Sequence, residues 1–279
     1  MKKSRIWIAI FLTVLVVVCA RRFGPNKPYE VEVQSTEGVV LSHRAERSHT
    51  GEGPAVIRLK AMLNGQDANL LKVTLEGRIK GETEWQTLAP ARTEDRGEDF
   101  DKAYIFDVPH QPVTTRYFYR FLAQVGEGAP FMLARDNGDP MMVKFKGPVP
   151  GWILIPHVAA MFGGFFLLIW SALIALSLAL SGEPTDKAAP MALWSWIVLF
   201  VGGVPLGFAM NYYAFDVIWE AWPFGGDVTD NKTQIALLFW GIACIALSKG
   251  KGKKAGLFAA FAALVTLATY LIPHSAQIG

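Results

Sequence analysis

The chain has 279 residues, 52% of them hydrophobic and 18% charged, with a formal net charge of +3. Of the 51 charged residues, 39 fall in residues 1–150 and only 12 in residues 151–279. The first part has the charge density of a soluble domain and the second that of a chain solvated by lipid. This excludes a single water-soluble globule, a disordered chain and a nucleic-acid binder with an extended basic surface.

The first apolar segment is Ile6–Ala20, flanked by Lys2, Lys3 and Arg5 before it and by Arg21 and Arg22 after it. Fifteen residues are short for a span of about 20, but flanking arginines snorkel and extend it. Residues 1–22 are therefore expected to form an N-terminal transmembrane anchor. A cleaved signal peptide is the alternative, because Val18-Cys19-Ala20 loosely fits a small-residue cleavage site. Cys19 and Cys244 are the only cysteines and both sit in apolar segments, so the charged block has no disulfide framework.

Residues 23–150 form the charged block, and 52–147 read as all-β. Val56–Leu63 and Leu71–Ile79 alternate at period two, and Lys80-Gly81-Glu82-Thr83 reads as a hairpin turn before Trp85. Ala103–Val108, Arg116–Gln124 and Met141–Lys146 are further strands, separated by Gly, Pro and Asp clusters. His43, His49 and His110 fall in what read as polar loops. The run Tyr104-Ile105-Phe106-Asp107-Val108-Pro109, a polar link, and then Tyr117-Phe118-Tyr119-Arg120-Phe121 resembles fibronectin-type-III and immunoglobulin-like domains. The Cys…Trp…Cys signature of true immunoglobulin domains is absent. The resemblance implies an antiparallel β-sandwich and no particular activity.

Val143–Trp152 carries two prolines and two glycines in its second half and is expected to hold the β domain close to the membrane. Residues 151–279 then carry four more apolar segments: Ile153–Leu180, Leu193–Met210 (interrupted by Gly202, Gly203 and Pro205), Ile235–Ser248 and Ala255–Ile272. The expected fold class is an α+β membrane protein: an extracytoplasmic antiparallel β-sandwich plus a bundle of about five transmembrane helices. Lys249, Lys251, Lys253 and Lys254 form the one dense basic loop. The positive-inside rule makes it cytoplasmic, together with the N-terminus. The β domain, the loop 211–232 and the C-terminus then face the extracytoplasmic side, as in a bacterial inner-membrane protein. The partners are the lipid bilayer and a protein on that side, with no nucleic acid.

Candidate chemistry gathers at the outer face. His157 lies early in the second span and His274 just after the last, at matching depth. Met161 follows His157 by one helical turn, and Met210 ends the third span on the same side. Imidazole and thioether are ligands of copper and of haem iron. The outer loop holds Asp216, Glu220, Asp227 and Asp230, four of the six acidic residues of this half. If helical, Asp216 and Glu220 share a face. Asn231 and Gln234 read as a loose capping box for the next helix. The expected metal set is His157, His274, Asp227 and Asp230, with Met161 and Met210 as soft ligands, for a transition-metal ion or haem b. The alternative places each histidine and acid at a helix cap.

Three functions fit this reading. The first is a non-catalytic subunit, assembly factor or scaffold that binds an extracytoplasmic partner through the β-sandwich. The second is a metal- or haem-binding protein with redox or catalytic work at the outer face. The third is a transporter, which should show ionisable residues at mid-membrane or a second broken helix. No G-x-S-x-G elbow occurs.

Overall fold

In the computed structural model, residues 2–23, 27–97, 100–135, 137–250 and 252–272 are described. The chain divides into two compact units, residues 26–148 and residues 1–25 together with 149–279.

The first unit is β-rich. One sheet has the order β1-β2-β4-β8-β7, built from Tyr29–Gln34, Val40–Ala45, Ala55–Met62, Phe100–Val108 and Arg92–Gly97 in that order. The other runs β3-β11-β9-β5-β6, from Ser48–Thr50, Met141–Lys146, Arg116–Val125, Leu71–Ile79 and Gln86–Leu88, with β10 (Phe131–Leu133) also on β9. Every pairing is antiparallel except β3 with β11, which is parallel, so the second sheet is mixed. Alternation along the strands decides which side chains are buried. In β9, Tyr117, Tyr119, Phe121, Ala123 and Val125 turn inward and the residues between them turn out. Leu41, Leu59 and Phe106 from one sheet join Leu75, Phe121 and Phe145 from the other in one buried cluster. The lysine-glycine turn after β5 does lead into β6, which pairs back on β5.

The β-rich unit starts at Tyr29 rather than at residue 52, because β1, β2 and β3 precede the alternating strands. β7 escapes pattern reading: Arg-Thr-Glu-Asp-Arg-Gly has no apolar face, and it holds its place by pairing with β8 at a sheet edge. His43 and His49 accordingly lie in strands β2 and β3 rather than in loops.

The second unit is helical: α1 (Lys2–Phe23), α2 (Gly151–Ser181), α3 (Ala189–Gly203), α4 (Pro205–Phe215), α5 (Val228–Ser248) and α6 (Gly252–Leu271). Four stretches are long and apolar enough to cross a membrane: Gly151–Ser181, Thr185–Phe215, Val228–Ser248 and Gly252–Leu271. The apolar part of α1, Ser4–Cys19, is shorter. α2 ends at Gly182, whose left-handed backbone (φ 76°) turns its N–H back onto the Leu178 carbonyl. Small residues bring α2 and α6 together: a Cβ on Gly256 would lie 2.6 Å from the Ala175 carbonyl oxygen. Buried Trp240 on α5 donates its indole N–H to Ser195 Oγ on α3 at 2.7 Å. The Arg5 guanidinium donates to Ser177 Oγ at 2.6 Å, so the start of α1 lies beside the end of α2.

The loop before α5 differs from the expectation. α4 stops at Phe215, and Asp216 takes a left-handed conformation (φ 55°), so Asp216 and Glu220 do not share a helical face. α5 begins at Val228, not at Ile235. Its N-cap is Asp227, which accepts from the N–H groups of Thr229 (2.7 Å) and Asp230 (3.0 Å), rather than a box of Asn231 and Gln234.

Candidate functional site

The third apolar stretch breaks between α3 and α4. Pro205 carries no N–H, so the ladder of helical hydrogen bonds is interrupted across Val201–Pro205. His157 on α2 meets this break, with Nδ1 2.9 Å from the Gly202 carbonyl oxygen. A carbonyl only accepts, so Nδ1 bears the proton and Nε2 of the neutral ring is an acceptor. Met161, one turn further along α2, packs on the same glycines. A Cβ on Gly202 would sit 3.1 Å from its sulfur. Tyr270 of α6 donates its hydroxyl to the Met161 carbonyl at 2.9 Å. Lys232 of α5 is 6% exposed and donates Nζ–H to the Ile272 carbonyl at 2.8 Å. A cavity of about 250 Å3 opens among these groups, lined by His157, Met161, Phe162, Met210, Lys232 and Tyr270 with aliphatic side chains around them.

The structure thus brings His157, Met161 and Met210 to one cavity. Asp227 and Asp230 do not line it. Asp227 caps α5. The buried Asp230 carboxylate accepts from Asn211 Nδ2 (3.0 and 3.1 Å) and from the Glu220 N–H (2.8 Å), tying the loop to α4. Asn231 is similarly engaged, accepting from the Trp222 N–H (2.9 Å) and donating to the Asp227 carbonyl (2.8 Å). His274 lies outside the described residues. Among the described residues, no group of three or more His, Cys, Asp or Glu is arranged to hold a metal ion. Sequence reading missed Lys232, because starting the helix at Ile235 left it in the loop. Lys232 stands in the polar first turns of α5, among Asp230, Asn231, Thr233 and Gln234, so the sequence pattern carried no signal that set it apart.

The β-rich unit has two features of its own. His43 is buried, with Nδ1 2.8 Å from the Arg58 carbonyl and Nε2 2.9 Å from the Tyr119 hydroxyl. The carbonyl fixes the proton on Nδ1, so Tyr119 donates to Nε2. Burial pulls the His43 pKa down to about 4 and pushes that of Tyr119 far up. Desolvation and the charge of Glu82 raise Tyr117 to about 12. The second feature is the outward face of the mixed sheet. Strands β5, β9 and β11 turn Lys72, Arg78, Arg116, Arg120, Lys144 and Lys146 outward against one carboxylate, Glu76. Glu76 pairs with Arg120 at 2.7 Å. Trp85 lies under both the Arg78 and Arg120 guanidinium groups, at 4.6 and 4.4 Å from the ring centroid. Met142 and Phe118 are cross-strand partners in the next row. On the outward face of the other sheet Arg58 pairs with Glu94 at 2.6 Å and Arg92 with Asp107 at 3.1 Å.

No protein-family model matches the chain, and a search of curated proteins finds no match.

Proposed function

We propose that the chain is an integral membrane protein of a bacterial inner membrane acting as a non-catalytic subunit, assembly factor or scaffold. In this reading the β-rich unit is a fibronectin-III-like or immunoglobulin-like sandwich on the extracytoplasmic side, and it recognises a protein partner. The observation that carries the reading is the outward face of the mixed sheet, where the Arg78 and Arg120 guanidinium groups both lie over the Trp85 ring and Phe118 and Met142 pair across the strands. Trp, Arg, Phe and Met are the residue types enriched at protein interfaces, and the guanidinium groups of Arg78 and Arg120 over Trp85 suit an acidic partner. Photo-crosslinking in intact membranes tests it. A crosslinker at Thr87, opposite Glu76 on this face, should give a defined protein adduct, and one at Ser42 on the other sheet should not. Arg78→Glu with Arg120→Glu should abolish the adduct. Equal adducts from both faces, or none, would refute the reading.

A second reading has one observation in its favour: the imidazole of His157 and the thioethers of Met161 and Met210 line the same cavity. These are donors for a soft transition metal or haem b, with His274 as a further ligand. The Lys232 ammonium on the same wall opposes a cation there. Metal analysis and a visible spectrum of the purified protein decide it. Stoichiometric metal or a haem band lost in His157→Ala supports it, and neither signal refutes it.

A further inference from the structure

We propose that the cavity beside the α3–α4 break binds a small lipid-soluble phenol or quinol, with its hydroxyl between Lys232 and His157. The cavity's size sets the scale. About 250 Å3 is larger than the ~150 Å3 apolar cavity that accepts benzene, so a substituted ring fits. Its walls set the body of the ligand. Val16, Leu154, Val158, Phe162 and Leu237 are apolar, and two thioethers, Met161 and Met210, face a ring favourably.

The polar groups on the wall set the head. Lys232 is a donor and carries the one formal charge lining the cavity among the described residues, where no carboxylate lines it. Its position is fixed by the bond to the Ile272 carbonyl. His157 lines the cavity and is held by the Gly202 carbonyl through Nδ1, which leaves Nε2 as the ring's acceptor. Among the described residues Nε2 meets no donor. A wall that offers both a cationic donor and a neutral acceptor is complemented by a group that accepts and donates at once. A hydroxyl does both with a single oxygen. A carboxylate or quinone carbonyl only accepts, and an ether cannot donate. The remaining hydroxyls on the wall already donate to backbone: Thr233 to the Thr229 carbonyl, Thr269 to that of Thr266 and Tyr270 to that of Met161.

The test uses the full chain in nanodiscs of a neutral phospholipid and three fluorinated probes of similar ring size, read by fluorine NMR. The probes are 4-(trifluoromethyl)phenol, 4-(trifluoromethyl)anisole and 4-(trifluoromethyl)benzoate. The phenol should bind at least ten-fold more tightly than the anisole, equivalent to about 1.4 kcal/mol for the lost donor, and more tightly than the benzoate. Lys232→Met and His157→Phe should each remove the phenol's advantage and leave the anisole unchanged. Ala236→Phe, which fills the cavity, should abolish binding of all three. Where a variant fails to fold, the wild-type ranking decides alone. Equal binding of phenol and anisole overturns the proposal, as does tightest binding of the benzoate. Either result leaves the reading of the β-rich unit intact, because that reading is scored by crosslinking from Thr87.

Discussion

His43 should make the β-rich unit acid-sensitive over a defined range. The ring is buried, and its neutral form is held by the Arg58 carbonyl on one side and the Tyr119 hydroxyl on the other. Protonation puts a hydrogen on Nε2, which can no longer accept from Tyr119, and leaves a charge beside Phe121 at 5.1 Å. In the unfolded chain the ring has its ordinary pKa of 6.5, and burial lowers it to about 4 in the fold. Between these values the unfolded chain binds the proton and the folded one does not. The contribution is therefore fully present above pH 6.5 and is lost as pH falls through 6.5 towards 4. The difference is worth about 3 kcal/mol. The assay is urea unfolding of the full chain in neutral detergent at pH 7.5 and pH 4. Hydrogen exchange of amides in β2, β4 and β9 would report on the unit. His43→Gln keeps a donor for Arg58 and an acceptor for Tyr119 but does not titrate, so carboxylates elsewhere cancel in the comparison. The wild type should lose about 3 kcal/mol more than the variant over this interval. Parallel losses, or an imidazole C2 proton that titrates near 6.5, would refute the argument.

Asp230→Ala should lower stability by roughly 1–3 kcal/mol, because it leaves the Glu220 N–H and Asn211 amide without their acceptor. Thermal unfolding in detergent measures this, and an unchanged midpoint would show that the loop anchors itself by other means. Gly256→Val places a branched side chain against the Ala175 carbonyl and Ala179, so it should destabilise the α2–α6 contact by about 1–3 kcal/mol. Gly163→Val on α2, where an added Cβ meets nothing within 4 Å, should do far less damage. Single cysteines in a Cys19→Ser, Cys244→Ser background test the sidedness. Thr50→Cys should react with an impermeant maleimide in intact cells, and Glu183→Cys only after the membrane is opened. The reverse pattern would invert the topology.

The parts of the fold legible in the sequence are those where one physical signal dominates. β5, β9 and β11 announce themselves because half their residues must be apolar to fill a core and the other half must meet water. The break between α3 and α4 is legible for a related reason: Gly202, Gly203 and Pro205 each weaken a helix locally. β7 and β3 were not legible, since a short edge strand is held by its neighbour's backbone and needs no side-chain pattern. β2 hid for another reason. Its inward positions are Leu41, His43 and Ala45, and a buried histidine reads as polar until Arg58 and Tyr119 arrive from strands 15 and 76 residues away.

The same limit explains the candidate site. His157 and Met161 could be paired from their helical spacing alone, because one helix carries both. Asp227 and Asp230 looked like ligands because carboxylates in a loop advertise charge but not their hydrogen-bond partners. Those partners are backbone N–H groups within the loop and its first helical turn, and a side chain 19 residues away on α4. Once Asp227 is recognised as the cap, α5 starts at Val228 and Lys232 moves from a solvated loop to a helix that meets the cavity. That single change of helix start alters the chemistry. Two acids leave the set of cavity groups and one cation enters it, so the place that suggested a metal ion becomes one whose wall offers both a cationic donor and a neutral acceptor.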